Sequence, residues 1–411
     1  LSSSKQDERG DHASKSDLQS ANQLIVDAII AITNIVESMH HRINPLSKFS
    51  STPNKEHQRG MTRMVYQTIQ NITELVGKGL DVPLGMISEA LGKKGRSPSG
   101  EALIAALNGV LGDHLVKQQS PLAIPMALYQ DGNKISSEAL AESIKQSEGK
   151  LLIMVHGLCM NHLQWQQRGH DHGKALSNDL NVTTAYLHYN TGLHVYENGK
   201  AFSHTLEKLI TQVLEIEPDI ELEISIVAHS MGGLVARSAM HQAQSFEHKW
   251  PEYIENIVFL GTPHHGAPLE KAGSWLDMLL GIHGYTAPLT RLTKFRSAGI
   301  RDLRHGNLLA SDAEERKPFE FHKDKRTPTP LPKDVNCFTV ATTASDSPNK
   351  TTETLVGDGL VSVNSALGKH ESKPFTLLFP VRHQWIARDI NHMQLLSHPD
   401  VYITLRNWLE K

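Results

Sequence analysis

The chain has 411 residues, with 41 Lys and Arg against 44 Asp and Glu, a formal net charge of −3. That balance leaves no basic footprint for general nucleic-acid binding, and the length allows two to three domains or one long α/β unit with a sizeable core. Two cysteines, Cys159 and Cys337, are too few for a disulfide framework and match no zinc spacing, which favours a reducing compartment.

Residues 1–16 hold almost no apolar side chains and are expected to form a flexible tail. Asp17 is a plausible N-cap for a helix whose apolar positions are Leu18, Ala21, Ile25, Ala28, Ile32, Val36, Met39 and Ile43, ended by Pro45. A second amphipathic helix is predicted over 61–76, a shorter one over 84–91, and another entered by Ser97 as N-cap with Pro98 as first helical residue. Together, residues 17–120 read as a helical N-terminal extension packed on the main domain. The rival reading is a platform on a membrane surface, but the polar faces are not strongly basic. The run from Leu24 to Val36 is interrupted by Asp27 and is too short to span a bilayer. No signal-like n-region and h-region is read either, so a cytoplasmic protein is expected, peripheral to a membrane at most.

From about Pro125 the hydrophobic period changes. Residues 126–136 read as a hairpin turning at Gln130-Asp131-Gly132-Asn133. Strands are then predicted at 151–155, 182–188, 222–227, 254–260, 336–342 and 375–379, with helices at 202–214, from Met231, and at 398–409. That alternation implies a mostly parallel sheet covered by helices on both faces, filling residues 121–411. A charged, proline-ended stretch from Lys271 to Lys333 breaks the rhythm and is expected to form a cap or lid over the strand ends.

The segment Ile224-Ser225-Ile226-Val227-Ala228-His229-Ser230-Met231-Gly232-Gly233 runs a β-branched strand into a small-residue turn and a helix. It is the nucleophile-elbow pattern G-x-S-x-G with Ala228 in place of the first Gly. Ser230 is then the candidate nucleophile, flanked by His229 and by Gly232, where a larger side chain would collide with the strand or helix. A hydroxyl needs a base, and the base needs an acid, in the chain order Ser, Asp, His. Asp358, in Gly357-Asp358-Gly359, is the preferred acid, with Asp346 as rival. His392, in Asn391-His392-Met393, is the preferred base, with His383 as rival. The oxyanion donors are expected to be the backbone N–H of Met231 and that of Leu158, which follows His156-Gly157 at the end of strand 151–155.

Histidine is abundant, 24 in all, yet no metal site is read. His170 and His172 are taken as solvated loop residues, and His264 and His265 as packing groups beside the elbow. No cofactor is called for.

The set VHGL (155–158), AHSMGG (228–233), GTPHHG (261–266), GDGLV (357–361) and NHMQLL (391–396) resembles the α/β-hydrolase superfamily. Within it, the chain is most similar to the lipase and esterase branch and to bacterial relatives of the GPI inositol deacylases. The resemblance covers roughly residues 125–411. It implies an α/β-hydrolase fold, Ser230, Asp358 and His392 as a triad, and Leu158 and Met231 as oxyanion donors. Its motifs say little about substrate. The expected function is a serine hydrolase acting on small-molecule or lipid carboxylic esters through an acyl-Ser230 intermediate. Trp275, Leu276, Met278, Leu279, Leu280 and Ile282 form an apolar run suited to acyl chains. The alternatives are an acyltransferase sharing the same acyl-enzyme, or a non-catalytic binding module. Oligomeric state is not read from the sequence.

Overall fold

A computed structural model describes residues 98–267, 297–313, 324–343, 357–358 and 360–410. The expected tail, the helices before Ser97, the apolar run 275–282 and Asp346 lie outside the described residues. The helix expected to open at Pro98 is α1 (Pro98–Lys117).

The hairpin of β1 (Ala127–Gln130) and β2 (Asn133–Lys134) turns through Asp131 at φ 48° and Gly132 at φ 77°. Two consecutive positive φ values suit the twist of a two-residue hairpin loop. Six further strands follow: β3 (Lys150–Val155), β4 (Thr183–His188), β5 (Glu223–His229), β6 (Ile254–Leu260), β7 (Asn336–Thr343) and β8 (Gln384–Arg388). All eight form one sheet in the order β2-β1-β4-β3-β5-β6-β7-β8. The β1 strand pairs antiparallel with β2 and β4, and every pairing from β4 to β8 is parallel. The chain has the α/β-hydrolase fold expected from its sequence.

Parallel strands need both faces covered, and the side-chain alternation supplies two cores. Leu151, Ile153 and Val155 of β3 join Ile224, Ile226, Ile257 and Phe259 on one face. There they meet Phe202, Leu206 and Leu209 of α4 (Val195–Ile216) and Leu234 and Val235 of α5 (Met231–Ser245). Leu152 and Met154 point the other way, with Val227, Val258, Leu260, Phe338 and Val340. This second layer is closed by Leu176 of α3 (His172–Leu180) and by Val401 and Leu405 of α7 (Pro399–Leu409). Each fully buried side chain of this size contributes about 1.5–3 kcal/mol of transfer free energy, so the central strands are strongly held.

The structure departs from the sequence expectations at the sheet edge, after the hairpin and at His172. The strand expected at 375–379 does not form: Leu377 and Phe379 are buried and Leu378 is exposed, but this alternating segment lies off the sheet, with Leu377 N–H donating to Gly368 O. The edge strand is instead β8, whose Gln-Trp-Ile-Ala-Arg has no strong apolar alternation to announce it. The predicted hairpin arm is followed by a helix not foreseen, α2 (Ser137–Gln146), capped by the Ser136 hydroxyl on Ala139 N–H. His172 is not solvated; it is fully buried at the start of α3, with Asp171 as N-cap. Within 271–333, the described part contains α6 (Ala298–His305), whose N-terminal side is tied to α1 by Ser297 Oγ–H donating to Gly109 O and Ala298 N–H donating to Asp113 Oδ2. No helix among the described residues is long and apolar enough to cross a membrane.

Candidate active site

Strand register brings the candidate residues to the C-terminal end of the sheet. Val155 lies beside Ala228, and extending that register by two residues sets Gly157 beside Ser230. A Cβ on Gly157 would come within 3.1 Å of both Ser230 Cβ and His229 Nδ1, so glycine is what lets the post-β3 turn lie against the serine.

Ser230 follows β5 at φ 53° and ψ −122° and leads directly into α5. These angles lie outside the left-handed helical basin, in territory that L-residues avoid. The surrounding backbone fixes them: Ser230 N–H donates to Leu260 O at 2.9 Å, and Gly233 N–H donates to Ser230 O at 3.1 Å. Gly232 permits the helix to start there, because an added Cβ would sit 2.5 Å from Val155 O. Ala228, in the position of the motif's first glycine, is fully buried in the core and lies on regular strand.

His392 and Asp358 are in contact. His392 Nδ1–H donates to Asp358 Oδ2 at 2.9 Å, with both side chains excluded from solvent. That bond leaves His392 Nε2 as the acceptor nitrogen, and it is buried without a hydrogen-bond partner among the described residues. His392 is held from two sides. Its own carbonyl accepts from His229 Nε2 at 3.2 Å. Gly261, at φ 61°, packs so closely under the ring that a Cβ would lie 2.9 Å from Cε1. Since Leu260 binds Ser230 N–H, the end of β6 touches both the serine and the histidine.

Asp358 is satisfied on both oxygens. Oδ1 accepts the N–H groups of Leu360 and Val361, each at 2.9 Å, and Oδ2 accepts the Thr342 hydroxyl as well as His392. Burial alone would raise the Asp358 carboxyl, but the facing His392 and the bonds from His392, Thr342 and Val361 outweigh it and hold the group below its usual value of 3.8. Thr342 was not singled out in the sequence. The signal available was a hydroxyl near the C-terminal end of an apolar strand, which becomes meaningful only once β7 is known to end beside Asp358.

The rival base His383 is at the wrong end of the sheet. It bonds the carbonyl of Cys337, near the start of β7, at 3.2 Å and lies against Phe338 with ring centroids 4.1 Å apart.

Leu158 is buried, and neither its N–H nor that of Met231 takes part in a hydrogen bond among the described residues. Cys159, next in the chain, has φ 59°. Its thiol is pushed up to about 12 by burial and is not a rival nucleophile. His156 is fully buried, with Nδ1 on Gly157 O at 3.0 Å. Burial drives its imidazole well below its ordinary value, with nearby His188 adding to the shift, so it stays neutral. His229 is likewise lowered, to about 3, by burial first and the neighbouring His392 second.

His264 and His265 both pack against neighbouring side chains, His264 on the flank of α5 seven residues beyond Ser230. His264 Nδ1 faces Arg237 Nη1 at 3.4 Å, and His265 N–H donates to Ser365 Oγ at 3.1 Å. His172 Nδ1 meets His170 Nε2 at 2.9 Å, and its other nitrogen bonds Leu395 O. No group of three or more His, Cys, Asp or Glu among the described residues could hold a metal ion.

A family model described as a domain of unknown function, DUF7379, matches residues 122–303. No curated protein sequence matches the chain. Among solved structures, the mature lipase BlEst2 of Bacillus licheniformis is 16% identical at TM-score 0.35, covering 63% of this chain and 92% of that one. Phospholipase PlaB from Legionella pneumophila is 14% identical at TM-score 0.41, covering 64% of this chain and 60% of its own. A thermophilic esterase is 14% identical at TM-score 0.35, covering 64% and 89%. These are distant likenesses, and the chemistry below rests on the residues of this chain.

Proposed function

We propose that the protein is a serine hydrolase that cleaves carboxylic esters through an acyl-Ser230 intermediate. The observation that carries this reading is a buried His392–Asp358 pair whose Nε2 has no partner among the described residues and whose ring lies 4.8 Å, centroid to centroid, from that of His229, the residue before the strained Ser230. A buried imidazole acceptor left unpaired is unfavourable unless a transient partner completes it. The Ser230 hydroxyl is the group that chemistry would bring there, since hydrogen bonds of this kind often tighten only with substrate bound.

In the first half-reaction Ser230 Oγ attacks the ester carbonyl while its proton passes to His392 Nε2. Asp358 holds the imidazole in the tautomer that makes this possible and stabilises the imidazolium that results. The carbonyl oxygen, now negative, is received by the N–H groups of Leu158 and Met231, which carry no other bond among the described residues. Collapse expels the alcohol, which takes the proton from His392. Water then attacks the acyl-serine with His392 as base, releasing the carboxylic acid and restoring Ser230.

A lipid-like acyl ester is the preferred substrate class, on the strength of the apolar run Trp275 to Ile282 in the sequence. Kinship with bacterial relatives of the GPI inositol deacylases stays a resemblance of motifs. The test is turnover of p-nitrophenyl esters from acetyl to palmitoyl by the wild type, Ser230→Ala and Asp358→Asn. Asp358→Asn is expected to lose about 10³–10⁴-fold in kcat, since the tautomer is no longer enforced. Wild-type turnover in either variant overturns the assignment.

A further inference from the structure

The turn that carries Leu158 is gripped by the loop that follows β4. Tyr189 Oη–H donates to the carbonyl of His156 at 2.7 Å, and Cys159 N–H donates to Thr191 Oγ1 at 3.1 Å. The first carbonyl belongs to the peptide unit just before that of Gly157–Leu158, and the second N–H to the unit just after it. The peptide that bears the Leu158 N–H is therefore clamped between two held peptide planes.

The clamp is itself anchored. Between its two members, Asn190 donates from Nδ2 to Gly112 O of α1 at 3.1 Å and accepts Gly192 N–H on Oδ1 at 3.0 Å. The Asn190 carbonyl accepts from Asn198 Nδ2 of α4 at 2.9 Å. Tyr189, Asn190 and Thr191 are all buried. On the other side of the turn, Cys159 Sγ fills the notch over Gly109 of α1, where a Cβ would approach to 2.2 Å. Cys159 at φ 59° is in a conformation a non-glycine residue rarely adopts, so the turn is shaped from outside rather than by its own preference.

We infer that Thr191 is a positioning residue for ester cleavage: by accepting Cys159 N–H it fixes the direction of the Leu158 N–H toward the carbonyl oxygen of the substrate. The inference rests on the acyl-serine reading and adds a residue that none of the sequence motifs contains. It makes α1, through Asn190 and Gly109, part of the support of the site.

The test compares Thr191→Val, which keeps the shape and removes the acceptor, with Thr191→Ser, which keeps the acceptor. Steady-state kinetics on p-nitrophenyl butyrate and the rate of fluorophosphonate labelling are measured beside Ser230→Ala. Losing one oxyanion donor outright costs about 10²–10³ in kcat, and loosening one is expected to cost about tenfold. Thr191→Val should therefore lose about tenfold in kcat with KM within about twofold, and label correspondingly more slowly; Thr191→Ser should match the wild type. Unchanged kcat in Thr191→Val overturns the inference, even if its thermal midpoint falls, because the residue then serves the fold alone. Equal loss in Thr191→Ser overturns it too. Turnover or labelling persisting in Ser230→Ala would instead remove the reading beneath it.

Discussion

Asn181, at the C-terminus of α3, and Ser230, between β5 and α5, have nearly the same φ, 51° and 53°, but ψ of 52° and −122°. Asn181 is exposed and sits in the left-handed basin that asparagine enters readily to stop a helix. Its N–H still bonds Ser177 O, so the local chain is satisfied by its own helix. Ser230 is buried and lies outside that basin, and its N–H reaches across to another strand, at Leu260. One turn is a local solution to ending a helix. The other is imposed by two neighbouring strands, β6 through Leu260 and β3 through Val155 behind Gly232, and by Gly157 of the turn after β3 against the serine itself. Strain survives only where neighbours over-determine it, and in this sheet it coincides with the residues proposed for catalysis.

The contrast is sharpened most by acid. The end of the sheet that holds Ser230 is packed with imidazoles kept neutral by burial: His229, His188 and His172 are each lowered to about 3. In the unfolded chain these rings take up protons below about pH 6.5. In the folded chain they do so only near pH 3. Stability is therefore full above pH 6.5 and falls as pH drops from there toward 3, by roughly 2 kcal/mol per ring at pH 5. Urea unfolding at pH 7 and pH 5 should show the loss, with His229→Gln shrinking it by about one ring's share. A flat profile would mean that the rings are accessible to water and that the end of the sheet is not closed as described.

The strain itself gives a smaller effect. Replacing Ser230 by Gly removes the candidate nucleophile and relaxes the backbone, so unfolding free energy is expected to rise by about 1–3 kcal/mol. Asn181→Gly relieves a far milder conformation and should shift stability by only a few tenths. Equal shifts at the two positions would break the comparison.

The central strands were legible because parallel strands buried on both faces are almost continuously apolar, as β3 and β6 are. The segment 375–379 has the same signal and misled, since alternation reports which side chains are buried and not whether the backbone joins a ladder. The helices α2 and α3 went unread for the opposite reason: they are short and largely polar, and the cap at Asp171 was the only local cue that His172 begins a helix. At the site, Ser230 with Gly232 and Gly157 is a local pattern that sequence displays directly. Asp358 and His392 could be chosen by chain order, and the structure brings their side chains into contact. Thr342, Tyr189 and Thr191 were invisible, because their partners at Asp358, His156 and Cys159 are set by strand register and by the loop after β4.

The most direct measurement is peptide mass spectrometry of the intact protein after treatment with a fluorophosphonate, run beside Ser230→Ala. A strained serine activated by His392 predicts a single phosphonyl adduct on the peptide containing Ser230, absent from the variant. An adduct on another residue, or one that persists in Ser230→Ala, would contradict the assignment of the nucleophile and of the hydrolase chemistry built on it.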